Sequence, residues 1–343
     1  MNKQVLNDDV RQFAEHFELS DELKGKSILI TGATGLIGSV MIKCLLELNA
    51  QKNLGIKVLA AVRSLEKAKK VFGDDYPKIE FKVIDLADIC EAEFSVKPDY
   101  LVHLACPTAS KYFVEHPVET LRTIFEGTTS VLEYAKTTGV EAMVFASSLE
   151  VYGSNLSDEL LNEDFQGYLS PTEVRSSYNM GKRAAECLCH SYAMEFGIPV
   201  MIARMTQTFG AGVEYNDNRV FAQFARKAIE GEDIELHTTG ETSRMYCYTM
   251  DAVSAMLYLL VYGKAGEAYN IANKDSYISI RDMAQMVRDK FNPNISVKLA
   301  LKENQGYAPV TKLKLDTKKI EELGWSPKVS LIDMFDRLIR SMS

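Results

Sequence analysis

No stretch of this 343-residue chain is apolar for long enough to span a bilayer. The opening MNKQVLNDDVRQF lacks the apolar core of an export signal, so the expected location is the cytoplasm. The six cysteines (Cys44, Cys90, Cys106, Cys187, Cys189, Cys247) therefore read as reduced thiols and not as a disulfide framework. Histidine is scarce, with five in all and none in an HExxH-type spacing. Cys187, Cys189 and His190 stand one or two residues apart on a helical stretch, where side chains do not converge, so no metal site is expected. Positive charge is also short. With 39 Lys and Arg against 47 Asp and Glu the net charge is −8, which argues against nucleic acid or an anionic membrane as partner. An anionic ligand would need its own local arginines. No internal repeat or low-complexity tract is present.

What remains is an ordinary globular composition, 46% hydrophobic and 25% charged, with length for a nucleotide-binding domain and a smaller second one. Residues 1–25 read as a helical extension with Phe13, Phe17 and Leu19 as its apolar residues. Then come continuous apolar runs: SILIT (27–31), KVLAAV (57–62), EFKVID (80–85), YLVHLA (100–105), AMVFAS (142–147) and PVMIAR (199–204). Such runs suit parallel strands buried on both faces. Amphipathic stretches of helical length, such as 36–50, 64–71, 117–138 and 178–196, lie between them. The alternation predicts an α/β fold with a Rossmann-type doubly wound parallel sheet. Residues 26–205, with about 237–275, are expected to form the dinucleotide-binding domain. Residues 206–236 and 276–343 would make a smaller C-terminal α/β lobe at the carboxyl edge of the sheet, where ligands of such sheets bind.

The segment SILITGATGLIGSVMIKCLLEL sets Gly32, Gly35 and Gly38 between a strand and a helix. Glycines permit a tight turn and close approach to a pyrophosphate, and the helix start adds free N–H groups and a positive dipole. Gly32, Thr34, Gly35, Leu36, Ile37 and Gly38 are thus candidate cofactor residues, and GxxGxxG points to the short-chain dehydrogenase type. An acid ending the second strand would bind a free ribose 2′-hydroxyl. This chain has Val62 and Arg63 there, followed by Lys67, Lys69 and Lys70, a setting that leans towards NADP. Arg63 equally reads as the start of a solvated basic helix, so NAD and NADP both stay open. Asp85, with Leu86 beside it, is a candidate partner for the adenine, and Ala105 after the fourth strand completes the cofactor set.

Tyr178 and Lys182 stand four apart in SSYNMGKRAAECL and share one helix face. A lysine cation beside a phenol favours phenolate, so Tyr178 could act as a general base near neutral pH. Ser148 ends the fifth strand, where it could relay the proton. YxxxK alone occurs by accident. The order of glycine turn, strand-end serine and YxxxK is far more specific.

On these residues the chain resembles the extended short-chain dehydrogenases, specifically the nucleoside-diphosphate-sugar epimerase/dehydratase family. The likeness runs from about Lys24 to LGWSPKVSL through TGATGLIG, HLACPTAS, SSLEVYG, YNMGKRAAE, SRMYCYTMDAV and GEAYNIAN. It implies Ser148, Tyr178 and Lys182 as catalytic residues, with Lys182 also contacting the nicotinamide ribose. It further implies a transient 4-keto sugar, a nicotinamide cofactor that the likeness leans to NAD, and a homodimer formed through helices matching 117–138 and 178–196. The nearest blocks, HLACPTASKYFVEHPVETLRT and VRSSYNMGKRAAE, are similar to UDP-glucuronate decarboxylases, whose glutamate matches Glu150. Their serine is Leu149 here, however, and their GPR is Gly210, Ala211 and Gly212. Sugar 4,6-dehydratases usually carry an Asp-Glu pair where this chain has Leu149 and Glu150. A 4-epimerase asks least of the site and is the expected activity, with the decarboxylase and the dehydratase as alternatives and an NADP-dependent reductase of a small carbonyl compound further off. By block match Arg219 and Arg244 would hold the substrate diphosphate, a task suited to guanidinium forks. Gln207 stands where the family generally has Asn, and Arg175 is a weaker substrate contact.

Overall fold

The apolar runs meet in one sheet in the computed structural model, which describes residues 2–301 and 309–343. Its strands are β1 (Ser27–Thr31), β2 (Lys57–Val62), β3 (Glu80–Val83), β4 (Tyr100–His103), β5 (Ala142–Ser148), β6 (Val200–Met205) and β7 (Ala268–Ile271). All pair in parallel, in the order β7-β6-β5-β4-β1-β2-β3. This is the doubly wound α/β sheet that the sequence predicts. β1 explains why its run has no polar face, since all five of its residues are buried. Ile28 and Ile30 join one apolar cluster with Val40, Met41 and Met256, and Leu29 joins another with Val131, Leu132 and Phe145. A strand covered on both sides has no use for alternation.

The helices in chain order are α1 (Lys3–His16), α2 (Leu36–Lys52), α3 (Leu65–Phe72), α4 (Ser110–Glu115), α5 (Pro117–Thr138) and α6 (Ser176–Phe196). After them come α7 (Val220–Glu230), α8 (Thr249–Tyr262), α9 (Ile280–Phe291), α10 (Lys318–Glu321) and α11 (Leu331–Met342). Residues of α2 and α8 fill the Ile28 side of the sheet, and residues of α5 and α6 fill the Leu29 side. No helix among the described residues is long and apolar enough to cross a membrane.

A second sheet gathers Asn273–Ser279, Ser243–Tyr248, Lys312–Leu315 and Leu160–Leu161, and Gln207–Phe209 pairs with Ser243–Tyr248. The stretch 237–275 is therefore shared. α8 and β7 go to the main sheet, whereas Ser243–Tyr248 goes to the second. Val297–Leu299 pairs with Ile234–Leu236 in a small third sheet.

The extension differs from its expected form. α1 stops at His16 because Phe17 takes an extended backbone and closes the helix with its N–H on the Phe13 carbonyl, at 2.9 Å. Its buried face is Val5, Asp9, Val10 and Ala14, with Phe13 and Leu19 only half-buried. The buried acid has partners: Arg337 of α11 pairs with Asp9, and the Tyr248 hydroxyl donates to it. Burial pushes the Asp9 carboxyl above its usual range despite the opposing pull of Tyr248 and Arg337.

Candidate active site

Because every main-sheet strand points the same way, the residues that follow the strands collect along one edge. Gly32 follows β1, Arg63 follows β2, Asp85 lies two beyond β3, Ala105 two beyond β4, Ser148 ends β5 and Gln207 lies two beyond β6. At the first of these turns the backbone leaves no choice of residue. Gly32 has φ +69°, and a Cβ on it would stand 2.7 Å from the Ala105 backbone nitrogen. Gly38 is held as tightly by contact alone, since its Cβ would stand 2.5 Å from the Gly32 oxygen. Glycine turn, α2 and the β4 loop thus pack backbone to backbone. Thr34 sits half-buried in the turn, and Gly35 caps α2 with no side-chain acceptor. The N–H groups opening this 17-residue helix at Leu36 and Ile37 keep their hydrogens for an anion, so the turn fits a pyrophosphate.

Further along the edge, Val62 is buried and Arg63 is exposed, close enough to Tyr112 of α4 for its charge to act on that hydroxyl. Ser64 caps α3 by accepting from the Lys67 N–H at 3.2 Å. Asp85 is exposed and Leu86 half-buried, and Asp85 accepts from the Ala87 N–H at 3.1 Å.

The three candidate catalytic residues come together from β5 and α6. The Tyr178 and Ser148 side chains are neighbours, close enough for the Ser148 hydroxyl to act on the phenol, and both are nearly buried. Lys182 reaches past them: its Nζ donates to the Ala146 carbonyl at 2.7 Å, acts on the nearby Cys106 thiol through its charge and lies 5.9 Å from the centre of the Tyr178 ring. The electrostatics differ from the simple expectation for YxxxK. Burial pushes the Tyr178 hydroxyl well above its ordinary value, Cys106 and Glu150 push the same way, and only the neighbouring Ser148 hydroxyl opposes them. In this state Tyr178 holds its proton. His103, by contrast, is a core residue: its Nδ1 shares a 2.7 Å hydrogen bond with Thr31, and burial, helped by the Lys182 charge, lowers its pKa to about 3.

Glu150 and Arg244 meet as an ion pair at 2.8 Å, so the candidate catalytic glutamate and one candidate phosphate ligand are bound to each other. Burial works against the Arg244 charge, but Glu150 more than offsets it and holds the guanidinium above its ordinary value. Arg219 is likewise engaged. It pairs with Asp217 at 2.6 Å and lies over the Phe221 ring at 4.8 Å. Gln207 is half-buried in its strand, and Arg175 is exposed at the start of α6.

Two groups beside Tyr178 were not predicted as site residues. Phe113 of α4 stacks on the Tyr178 ring, centres 4.3 Å apart and planes 8° from parallel, and its carbonyl accepts from Ser177 at 3.2 Å. Cys106 lies near enough to both Lys182 and Tyr178 for their charges to act on one another. Both fall inside the HLACPTASKYF block, but nothing in their spacing marks them. The cysteines are free thiols, and no His, Cys, Asp and Glu cluster suited to a metal occurs among the described residues.

With this geometry in hand, likeness to known proteins is decisive at the family level. Residues 28–272 match the NAD dependent epimerase/dehydratase family. The chain belongs to that family. Among epimerase/dehydratase relatives, UDP-glucuronic acid decarboxylase 5 of Arabidopsis thaliana is 32% identical over 307 residues, covering 89% of this chain and 85% of the relative. UDP-glucuronic acid decarboxylase 1 of Danio rerio is 28% identical over 323 residues, 93% of this chain and 73% of the relative. The solved dTDP-glucose 4,6-dehydratase of Streptomyces venezuelae, with NAD bound, superposes with a TM-score of 0.76 at 25% identity, covering 92% of this chain and 96% of its own. A UDP-glucose 4-epimerase of Thermotoga maritima shares the fold, with a TM-score of 0.78 at 24% identity over 92% of this chain and 98% of its own. The protein is thus an enzyme of the nucleotide-sugar epimerase/dehydratase family that uses a nicotinamide dinucleotide.

Proposed function

We propose that the enzyme interconverts a nucleotide-activated sugar with its 4-epimer. The observation that carries this reading is the Ser148–Tyr178–Lys182 cluster at the cofactor edge, without the acid next to Ser148 that dehydration would use. Leu149 occupies that position and is buried with Val151, Leu161 and Leu313. The bound dinucleotide supplies a reversible hydride acceptor, held by the Gly32–Gly38 turn, Arg63, Asp85, Leu86 and Ala105. In its phenolate form, which the Lys182 cation and the positively charged nicotinamide would favour once the dinucleotide is bound, Tyr178 takes the proton of the C4 hydroxyl, with Ser148 as relay, and gives it back to the same oxygen when the hydride returns. Lys182 keeps a positive charge beneath the pair.

Arg219 and Arg244 receive the diphosphate, each exchanging a carboxylate of the protein for phosphate oxygens. Gln207 and Arg175 line the approach of the sugar. We assign 26–205, with about 237–275, to the cofactor and 206–236 with 276–343 to the sugar nucleotide. We also assign the enzyme to the cytoplasm as a homodimer. Val118, Leu121 and Phe125 form an exposed apolar stripe on α5, at helical spacing, where a second copy would cover it.

A second reading is decarboxylation of a nucleotide-linked glucuronate. The Arabidopsis relatives and the position of Glu150 favour it, but Gly210–Ala211–Gly212 offers no cation for the carboxylate. The deciding experiment incubates the purified enzyme with UDP-, dTDP-, GDP- and CDP-sugars and follows mass and proton NMR. A mass-neutral change at C4 is expected. Loss of carbon dioxide or water would replace this reading with the decarboxylase or dehydratase. Stoichiometric consumption of NADPH with a small carbonyl compound, and no action on any sugar nucleotide, would replace it with the reductase.

A further inference from the structure

Behind the catalytic cluster lies a second set of polar side chains, almost wholly withdrawn from solvent. Ser147, Glu186 and Arg204 are 4%, 8% and 6% exposed, and Tyr152 and Asn270 are 0% exposed. Ser147 and Arg204 are register partners on β5 and β6, and both converge on the Glu186 carboxylate of α6. Ser147 donates its hydroxyl to one carboxylate oxygen. Arg204 donates Nε to both oxygens at 3.1 Å and Nη2 at 2.7 Å. Its other arm, Nη1, donates to the Tyr152 hydroxyl at 3.1 Å and the Glu163 carbonyl at 2.6 Å. Tyr152 donates to Asn270, whose amide in turn donates to the Leu161 and Asp316 carbonyls at the second sheet.

The placement of these groups carries the argument. Ser147 is the residue before Ser148, Glu186 stands one helical turn after Lys182, and Tyr152 lies two residues beyond Glu150. One carboxylate therefore ties the strand end that presents Ser148 to the helix that presents Tyr178 and Lys182. A buried ion pair stabilises a fold no better than apolar side chains of the same volume, because desolvation offsets the Coulomb attraction. What it adds is direction: two charged groups with six directed hydrogen bonds leave β5 and α6 one relative position, whereas apolar packing tolerates several.

We propose that Glu186, neutralised by Arg204, is a positioning residue that holds Ser148 of β5 facing Tyr178 of α6. This inference rests on the assignment of Ser148, Tyr178 and Lys182 as the catalytic group.

The test reads Tyr178 directly and needs no substrate. Enzyme labelled with tyrosine carrying 13C at the ring ζ-carbon is saturated with its dinucleotide. The Tyr178 resonance is assigned as the one lost in Tyr178→Phe from among the 16 tyrosines. Ser147→Ala removes one hydroxyl and leaves the ion pair. Glu186→Gln keeps the shape and removes the charge. The paired Glu186→Leu/Arg204→Met variant removes both charges and remains informative if Glu186→Gln does not fold. Positioning predicts that Ser147→Ala melts near the parent temperature and binds dinucleotide equally well, while the Tyr178 resonance moves. A lower melting temperature with the Tyr178 resonance unchanged in Ser147→Ala and the paired variant would overturn the proposal and leave the network a purely structural role. Failure of the catalytic assignment is separately visible, as Tyr178→Phe that still turns over a sugar nucleotide.

Discussion

Replacing Gly32 by alanine asks two things of the backbone at once, and the structure allows them to be separated. The first is conformational: φ at Gly32 is +69°, a region that costs an L-residue roughly 1–2 kcal/mol. The second is steric: the new Cβ would stand 2.7 Å from the Ala105 nitrogen and 2.8 Å from the Leu104 carbonyl carbon. These are backbone atoms that cannot swing aside, and overpacking of this kind costs typically about 1–3 kcal/mol. Gly55 is the control, with the same φ of +69° and nothing within 4 Å of its would-be Cβ. Gly55→Ala should therefore show the conformational cost alone, and Gly32→Ala the sum, about 2–5 kcal/mol. With an unfolding entropy of about 0.7 kcal/mol per kelvin for a chain of this length, the melting temperature falls by about 1–3 °C for Gly55→Ala and about 3–7 °C for Gly32→Ala. Gly38→Ala supplies the complementary control, a contact of 2.5 Å without positive φ. Because relief of the Gly32 clash must move Ala105 or the α2 start, dinucleotide affinity by calorimetry should fall at least tenfold in Gly32→Ala and stay at the parent value in Gly55→Ala. Equal melting temperatures for the two variants, or parent affinity in Gly32→Ala, would refute the close-packed reading of the turn.

The remaining expectations follow from individual groups. Tyr178→Phe should lower turnover of the active sugar nucleotide by roughly 10²–10⁴-fold with dinucleotide affinity unchanged, the range typical of losing a positioned acid–base group. Burial lifts the Asp251 carboxyl to about 6 against two backbone N–H donors, Lys328 and Val329. A raised folded-state pKa means that its contribution is fully present below the unfolded value of 3.8 and is lost as pH rises through 6. The stability difference between the parent and Asp251→Asn should accordingly shift against the parent by about 3 kcal/mol from pH 3.5 to pH 7 in denaturant titrations. A difference that stays constant with pH would exclude the titration. Arg63→Asp should change the ratio of NADP to NAD affinity at least tenfold towards NAD in parallel calorimetric titrations, and an unchanged ratio would make Arg63 a bystander. Phe125→Asp, with the wild-type ring 44% exposed on α5, should convert a dimer to monomer in sedimentation without lowering the melting temperature of the monomer fold.

The sheet was legible because burial on both faces writes itself into the sequence as uninterrupted apolar runs, and β1 is the clearest case. The glycine turn and the trio of Ser148, Tyr178 and Lys182 were legible because parallel strands deliver whatever follows them to a common edge. Pairings across long sequence distances were not. Nothing local links Glu150 to Arg244, or Asp9 to Arg337, and a short-range pattern has no means of announcing an ion pair closed by the fold. Asp9 illustrates the cost: an acid on a helix reads as a solvent-facing residue, so its burial beside Val5, Val10 and Ala14 was not foreseen. The shift of Tyr178 was missed for a related reason. Spacing puts a cation one turn away, but the Lys182 hydrogen bond to the Ala146 carbonyl and the stacked ring of Phe113 that helps bury Tyr178 belong to tertiary structure.

The carboxylates already seated on Arg219 and Arg244 give the proposed diphosphate site a property that neither arginine would confer alone. A site with bare guanidinium groups would collect whatever anion is abundant, whereas here each positive charge arrives with its own counter-ion, Asp217 or Glu150. A simple monoanion that displaces one of them exchanges like for like and gains little. A diphosphate, able to meet both arginines through one connected group, gains where a monoanion does not. On the assignment proposed above, the resting enzyme behaves as a charge filter, indifferent to chloride or inorganic phosphate and responsive to a pyrophosphate bridge.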